Sequence, residues 1–67
     1  MQMISTDNEK IVAMGYANGT MRLCFSDGSL YEYDNVPAET FDHFLNAHPK
    51  DDFFYEYVRG HYTYKRL

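Results

Sequence analysis

Apolar and polar residues alternate through residues 10–33 in three short runs, divided by two stretches that read as turns. A period of two is the signature of strands with one buried face. Within this block, Ser26-Asp27-Gly28 separates two segments rich in aromatic and branched residues, a short-range hairpin signal. Two registers compete. A two-residue Asp27-Gly28 loop pairs Phe25 with Leu30 and Leu23 with Glu32, which sets a carboxylate among apolar neighbours. A three-residue loop, with Gly28 in the left-handed region, pairs Phe25 with Ser29, Leu23 with Tyr31, Arg22 with Glu32 and Met21 with Tyr33. Matched cross-strand pairs contribute about 0.2–1 kcal/mol each, and a one-residue slip sends a whole apolar set to the wrong side. The second register sorts the faces and opposes the charges, so it is the one expected.

The preceding turn supports the same surface. Asn18-Gly19 suits a two-residue type I′ turn, in which both central residues need positive φ. It pairs Ala17 with Thr20, Tyr16 with Met21, Met14 with Leu23 and Val12 with Phe25. The predicted strands are then 10–17, 20–25 and 29–33. One face carries Val12, Met14, Tyr16, Met21, Leu23, Phe25, Tyr31 and Tyr33. The other is mixed, with Ile11, Ala13, Gly15, Arg22, Cys24, Leu30 and Glu32, and invites partial cover by the chain's tail or a partner. Residues 1–8 show no pattern and read as a loosely held terminus.

Beyond Pro37 the period changes. Ala38, Phe41, Phe44 and Leu45 lie three and four apart, one stripe of a helix over 37–46, with Pro37 in the first turn and Glu39 favoured by the helix dipole. His48-Pro49 ends it. Asp51 and Asp52 open a second short helix with Phe53, Phe54, Tyr57 and Val58 on its face and Gly60 as its stop. The core expected from these faces brings together Leu23, Phe25, Phe41, Leu45 and Phe54. Residues 62–67 alternate and suit a fourth strand at the sheet edge. The fold class is α+β: a small three-stranded antiparallel meander, two short helices packed on one face, and room for that fourth C-terminal strand.

Sixty-seven residues make one domain, 1–67, small enough to bury only about 60% of its unfolded surface. Cys24 is the single cysteine, so no internal disulfide forms and a reducing compartment is the simple reading. No run spans a bilayer and no signal peptide is evident, which points to a cytoplasmic protein, in a cell or in a host cell. Seven tyrosines and five phenylalanines supply much apolar area from few residues. The net charge of −4 argues against nonspecific attachment to nucleic acid or anionic membranes.

Candidate chemistry is sparse. His43 and His48 are five apart, not the three or four that place two ligands on one helical face, so no metal site is indicated. No phosphate-binding glycine loop and no carboxylate pair tied to a pocket are present, so neither an enzyme nor a cofactor is expected. One stretch changes sign. Residues 56–67 hold three basic residues against one acidic, while 1–55 hold three against nine. Arg59, His61, Tyr62, Tyr64, Lys65 and Arg66 interleave rings with cations there, the ingredients of single-strand recognition. Strand alternation sends Tyr62, Tyr64 and Arg66 to one side and Thr63 and Lys65 to the other, which makes the two tyrosines either both core or a stacking pair.

Several short motifs in order, IVAMGY at 11–16, MRLCF at 21–25, YEY at 31–33, NVP at 35–37, Phe53-Phe54 and VRGHYTYKRL at 58–67, resemble the KTSC domain family. That module, of about this length, is named for its place at the C-terminus of some lysyl-tRNA synthetases and also occurs as stand-alone small proteins of bacteria and phages. The resemblance implies a noncatalytic binding module, with RNA suggested by the synthetase context. These 67 residues include no synthetase sequence and are acidic overall, which weakens the expectation of tRNA. The competing expectation is a small phage or bacterial protein that binds and modulates a host protein through an aromatic or edge-strand surface. An unpaired sheet edge also suits a homodimer.

Overall fold

The computed structural model describes all 67 residues, and its sheet has five strands in sequence order, each antiparallel to the next. They are β1 (Met3–Ser5), β2 (Ile11–Ala17), β3 (Thr20–Phe25), β4 (Leu30–Tyr33) and β5 (Tyr64–Arg66). Helices α1 (Ala38–Leu45) and α2 (Lys50–Phe53) follow β4, and α2 runs directly into a π-helical turn, Phe54–Val58. No helix is long and apolar enough to cross a membrane.

The α+β class and the central meander stand as expected. Asn18 and Gly19 have φ of 51° and 82°, as a type I′ turn requires. The β3–β4 register is the three-residue one: Met21 faces Tyr33, Arg22 faces Glu32 and Leu23 faces Tyr31. Gly28 sits at φ 89°, and the Phe25 N–H donates to Ser29 O at 2.9 Å to close the loop.

The sheet is wider than three or four strands. β5 takes the expected edge beside β4, in the register Tyr31–Arg66, Glu32–Lys65 and Tyr33–Tyr64. β1, which no alternation announces, takes the opposite edge, with Met3 beside Gly15 and Ser5 beside Ala13. A Cβ on Gly15 would meet Met3 Sδ at 2.7 Å and Gln2 O at 2.9 Å, so the glycine is what lets this edge close.

β2 departs from the expected pairing. From Ala17 to Ala13 the register with β3 is regular, but Phe25 then faces Ile11, not Val12. The extra residue is a β-bulge, which inverts the alternation beyond it. Ile11, expected on the mixed face, is therefore 1% exposed and belongs to the core, while Val12 is half-buried. The loop before β2 fixes this irregularity. The Asn8 side-chain oxygen accepts from the N–H groups of Lys10 and Ile11, each at 2.9 Å, and Thr6 donates through its hydroxyl to Ile11 O and through its N–H to Val12 O. Backbone groups that lose their ladder partners at the bulge are satisfied locally.

Seven side chains are fully enclosed: Ile11, Met14, Met21, Leu23, Val36, Phe44 and Val58, with Tyr33 at 4% exposure beside them. Of the five residues expected at the centre, only Leu23 lies there; Phe25, Phe41, Leu45 and Phe54 pack half-buried around it. The α1 stripe points inward chiefly through Phe44, while Phe41 stacks on Tyr16 at 5.1 Å. Tyr16 reaches past it to donate to Val36 O at 2.5 Å. Pro37 stands one position earlier than expected, at the N-cap, where its extended ψ of 146° leaves its carbonyl to accept from Thr40 and Phe41.

Candidate functional site

β4 and β5 pair so that Tyr64 and Arg66 emerge on the helix-bearing side and Lys65 on the other. This alternation builds one wall of an open groove of about 460 Å³. Tyr31 and Tyr33 form its base, Phe54, Tyr55 and Arg59 its far wall, and the β3–β4 loop closes one end with Ser26, Asp27 and Ser29. Lys10 and Phe25 also line it.

Its rings are held by one another. Phe25 meets Tyr31 and Phe54 edge-on, each at 5.5 Å. Tyr64 lies 5.8 Å from Tyr31 and 5.6 Å from Tyr33, yet is 58% exposed. Two guanidinium groups cap rings of this cluster: Arg66 over Tyr31 at 5.9 Å and Arg59 over Tyr55 at 5.6 Å. The π-helical turn sets the second pair. The Arg59 N–H donates to Phe54 O at 2.8 Å, five residues back, and this wider turn closes over Tyr55.

The groove's perturbed titrations move away from neutrality. Burial, reinforced by Tyr31 and Tyr64, pushes the Tyr33 hydroxyl up to about 12. Asp27 is held below the usual carboxylate range because the Ser29 hydroxyl and N–H both donate to it, at 2.6 and 2.9 Å. Both shifts carry their groups further from pH 7. No three His, Cys, Asp or Glu side chains come together to hold a metal ion.

The six residues singled out from the sequence fall in three places. Arg59 and Tyr64 line the groove, and Arg66 covers its Tyr31 ring. Lys65 is on the opposite face, 3.6 Å from Glu32, whose other oxygen accepts from Arg22 at 2.5 Å. That hydrogen bond, with the two neighbouring cations, holds the Glu32 carboxyl below its usual range. His61 and Tyr62 line a second groove across the π-helical turn, with Thr40, His43, Phe53 and Tyr57. Tyr62 packs half-buried against the core while Tyr64 is exposed, so the tyrosines are one of each kind, because Tyr62 precedes the strand and escapes its alternation.

Lys10, Phe25, Tyr31, Phe54 and Tyr55 were not among the candidates. They come from four separate segments, and the β2–β3 and β3–β4 pairings with the course of the helical hairpin bring them together.

A family model described as the KTSC domain matches residues 7–62. Two lysine–tRNA ligases, from Nostoc sp. (strain PCC 7120) and Trichormus variabilis, are 35% and 33% identical to this chain over 48 residues. The match covers 72% of the chain and 9% of each ligase, so the shared segment is less than a tenth of the length of these relatives. The crystal structure of a KTSC domain protein from Yersinia pestis superposes with a TM-score of 0.95 at 24% identity, covering 98% of this chain and 96% of that one.

Proposed function

The chain belongs to the KTSC domain family, and from that premise we propose that it is a noncatalytic module that binds single-stranded RNA in the aromatic groove. One observation carries the reading. Tyr64, exposed on one side and fixed by Tyr31 and Tyr33 on the other, stands in a groove flanked by Arg59 and Arg66. A preset ring offers a face to a base, and guanidinium groups beside it take phosphates. The related ligases are named for tRNA, which favours RNA over other ligands of the same chemistry.

The net charge of −4 confines attraction to this groove, so binding is weak and local. Anisotropy titration of a labelled short single-stranded RNA at low salt tests the reading. Tyr64→Ala removes about 1–3 kcal/mol of affinity while the melting temperature holds. Arg59→Ala with Arg66→Ala lowers the salt slope by about 0.7 for each phosphate no longer neutralised. Lys65→Ala, on the opposite face beside Glu32, leaves the affinity in place. Absence of binding at tens of micromolar protein overturns the reading.

One feature favours a protein partner. β1 is a sheet edge, with Met3 and Ile4 exposed by 36% and 46%, and such edges accept an added strand. A partner recovered from lysate after nuclease treatment, and no longer recovered when a proline replaces Ser5, whose N–H faces away from β2, supports that alternative.

A further inference from the structure

The second groove is larger, about 780 Å³, and the first groove's chemistry gives it no task. It shares a wall with the first. Phe54 and Tyr55 face one side of the helical hairpin and Phe53 and Tyr57 the other. At the C-terminal end of that wall, Arg59 and Gly60 line the first groove and His61 and Tyr62 line the second. The two linings therefore meet at one peptide link, whose Cα atoms are about 3.8 Å apart.

Gly60 leaves that corner bare. It sits at φ +80°, and a Cβ built there would have nothing within 4 Å. The side chains next to that point are those of its chain neighbours, Arg59 and His61, which belong to opposite linings. The second groove also repeats the construction of the first. Phe53 stacks on the buried Phe44 at 5.0 Å, Tyr57 lies 4.8 Å from Phe53, and Tyr57 remains 53% exposed. A ring fixed beneath and open above is again a platform for a base. No guanidinium lines this groove; the imidazoles of His43 and His61 stand beside its rings, and imidazoles also stack on bases.

We infer that a single-stranded RNA longer than a dinucleotide crosses the Gly60 corner, with one base on Tyr64 in the first groove and a later base on Tyr57 in the second. This rests on the RNA reading of the first groove and extends it to a continuous track around the helical hairpin. A dinucleotide fills only the first groove, and a hexanucleotide reaches both.

The test compares a labelled uridine dinucleotide with a uridine hexanucleotide by anisotropy on the intact chain. The hexamer offers about five dinucleotide registers, worth about fivefold by counting alone. One more stacked base adds on the order of tenfold beyond that. Tyr57→Ala is expected to erase this added factor for the hexamer and leave the dinucleotide unchanged, which also shows that the first groove is still folded. Tyr57→Phe keeps the ring and restores the hexamer. Tyr64→Ala weakens both ligands. A hexamer bound no more than fivefold tighter, or a Tyr57→Ala protein with hexamer affinity unchanged, overturns the track; if Tyr64→Ala still weakens both ligands, the first-groove reading survives. Failure of every oligonucleotide to bind ends both.

Discussion

The bulge in β2 makes a sharp demand on two neighbouring residues. A regular register buries Val12 and exposes Ile11; the structure does the reverse, with Ile11 1% exposed and Val12 half-buried. Ile11→Ala removes three carbons from an enclosed site. At about 0.8 kcal/mol per buried carbon, transfer alone costs about 2.4 kcal/mol. A residual cavity raises this into the range of about 2–5 kcal/mol seen for such truncations. Val12→Ala removes two carbons that are only half-buried, so the same arithmetic gives about 0.8 kcal/mol. A domain of this size holds roughly 3–10 kcal/mol in total. Each kcal/mol shifts Tm by roughly 4–8 °C at this length. Ile11→Ala therefore lowers Tm by about 10 °C or more, or leaves the chain unfolded, while Val12→Ala melts about 3–6 °C below wild type. Paired urea melts with unchanged slopes give the two free energies directly. If Val12→Ala proves the costlier, the alternation runs unbroken through β2 and the bulge is refuted.

The other turns and charges give shorter tests. Gly28, at φ 89°, should lose about 1–2 kcal/mol or more on substitution by valine and distinctly less by asparagine, measured by urea melts. The lowered Glu32 carboxyl stabilises the folded state when ionised. Its contribution is present above the ordinary value of 4.5 and fades as pH falls through the folded-state value. Glu32→Gln should therefore be less stable than wild type at pH 7 and converge with it in acid; a gap that persists at pH 2 points to packing instead. Tyr33, raised from 10.0 to about 12, contributes stability that is complete below pH 10 and is lost as pH rises through about 12. Tyr33→Phe should flatten that alkaline fall, and an unchanged slope shows that another group causes it.

Much of the sheet was legible because two turns spoke independently. Asn18-Gly19 and Ser26-Asp27-Gly28 each fix a register by backbone chirality, and the two agree on the face of β3 that carries Met21 and Leu23, to which one adds Met14 and the other Tyr31 and Tyr33. The C-terminal strand was also legible from its alternation, but the reading failed at the far end of β2 and at β1. The bulge is held by Asn8 and Thr6, polar residues in a stretch without pattern, so its cause lies outside the alternation it breaks. β1 has no period of its own, being three exposed residues. Its trace was Gly15, a glycine inside a strand, which marks close approach of another backbone. On α1, Phe41 and Phe44 share one stripe and the period cannot rank them. The choice falls to Phe44 because Tyr16 crosses toward Val36 and meets Phe41 first.

The candidate site was less legible for a related reason. Composition located the sign change at the C-terminus and alternation parted Lys65 from Arg66, but neither says what each side meets. Pairing with β4 does: Lys65 falls opposite Glu32 on the far face, while Arg66 falls over Tyr31. A tail read as one basic patch is thus divided by a strand of three residues. On the proposed reading, the same division lets an acidic chain offer a local site for an anion. Of the two cations adjacent in sequence, one is taken up in holding the sheet to Glu32, and the other stands beside exposed rings with Arg59 across the groove. Affinity there depends on geometry more than on net charge, because screening at physiological salt leaves only charges within about 8 Å effective. The acidic residues that set the overall balance count only where the fold brings them that close.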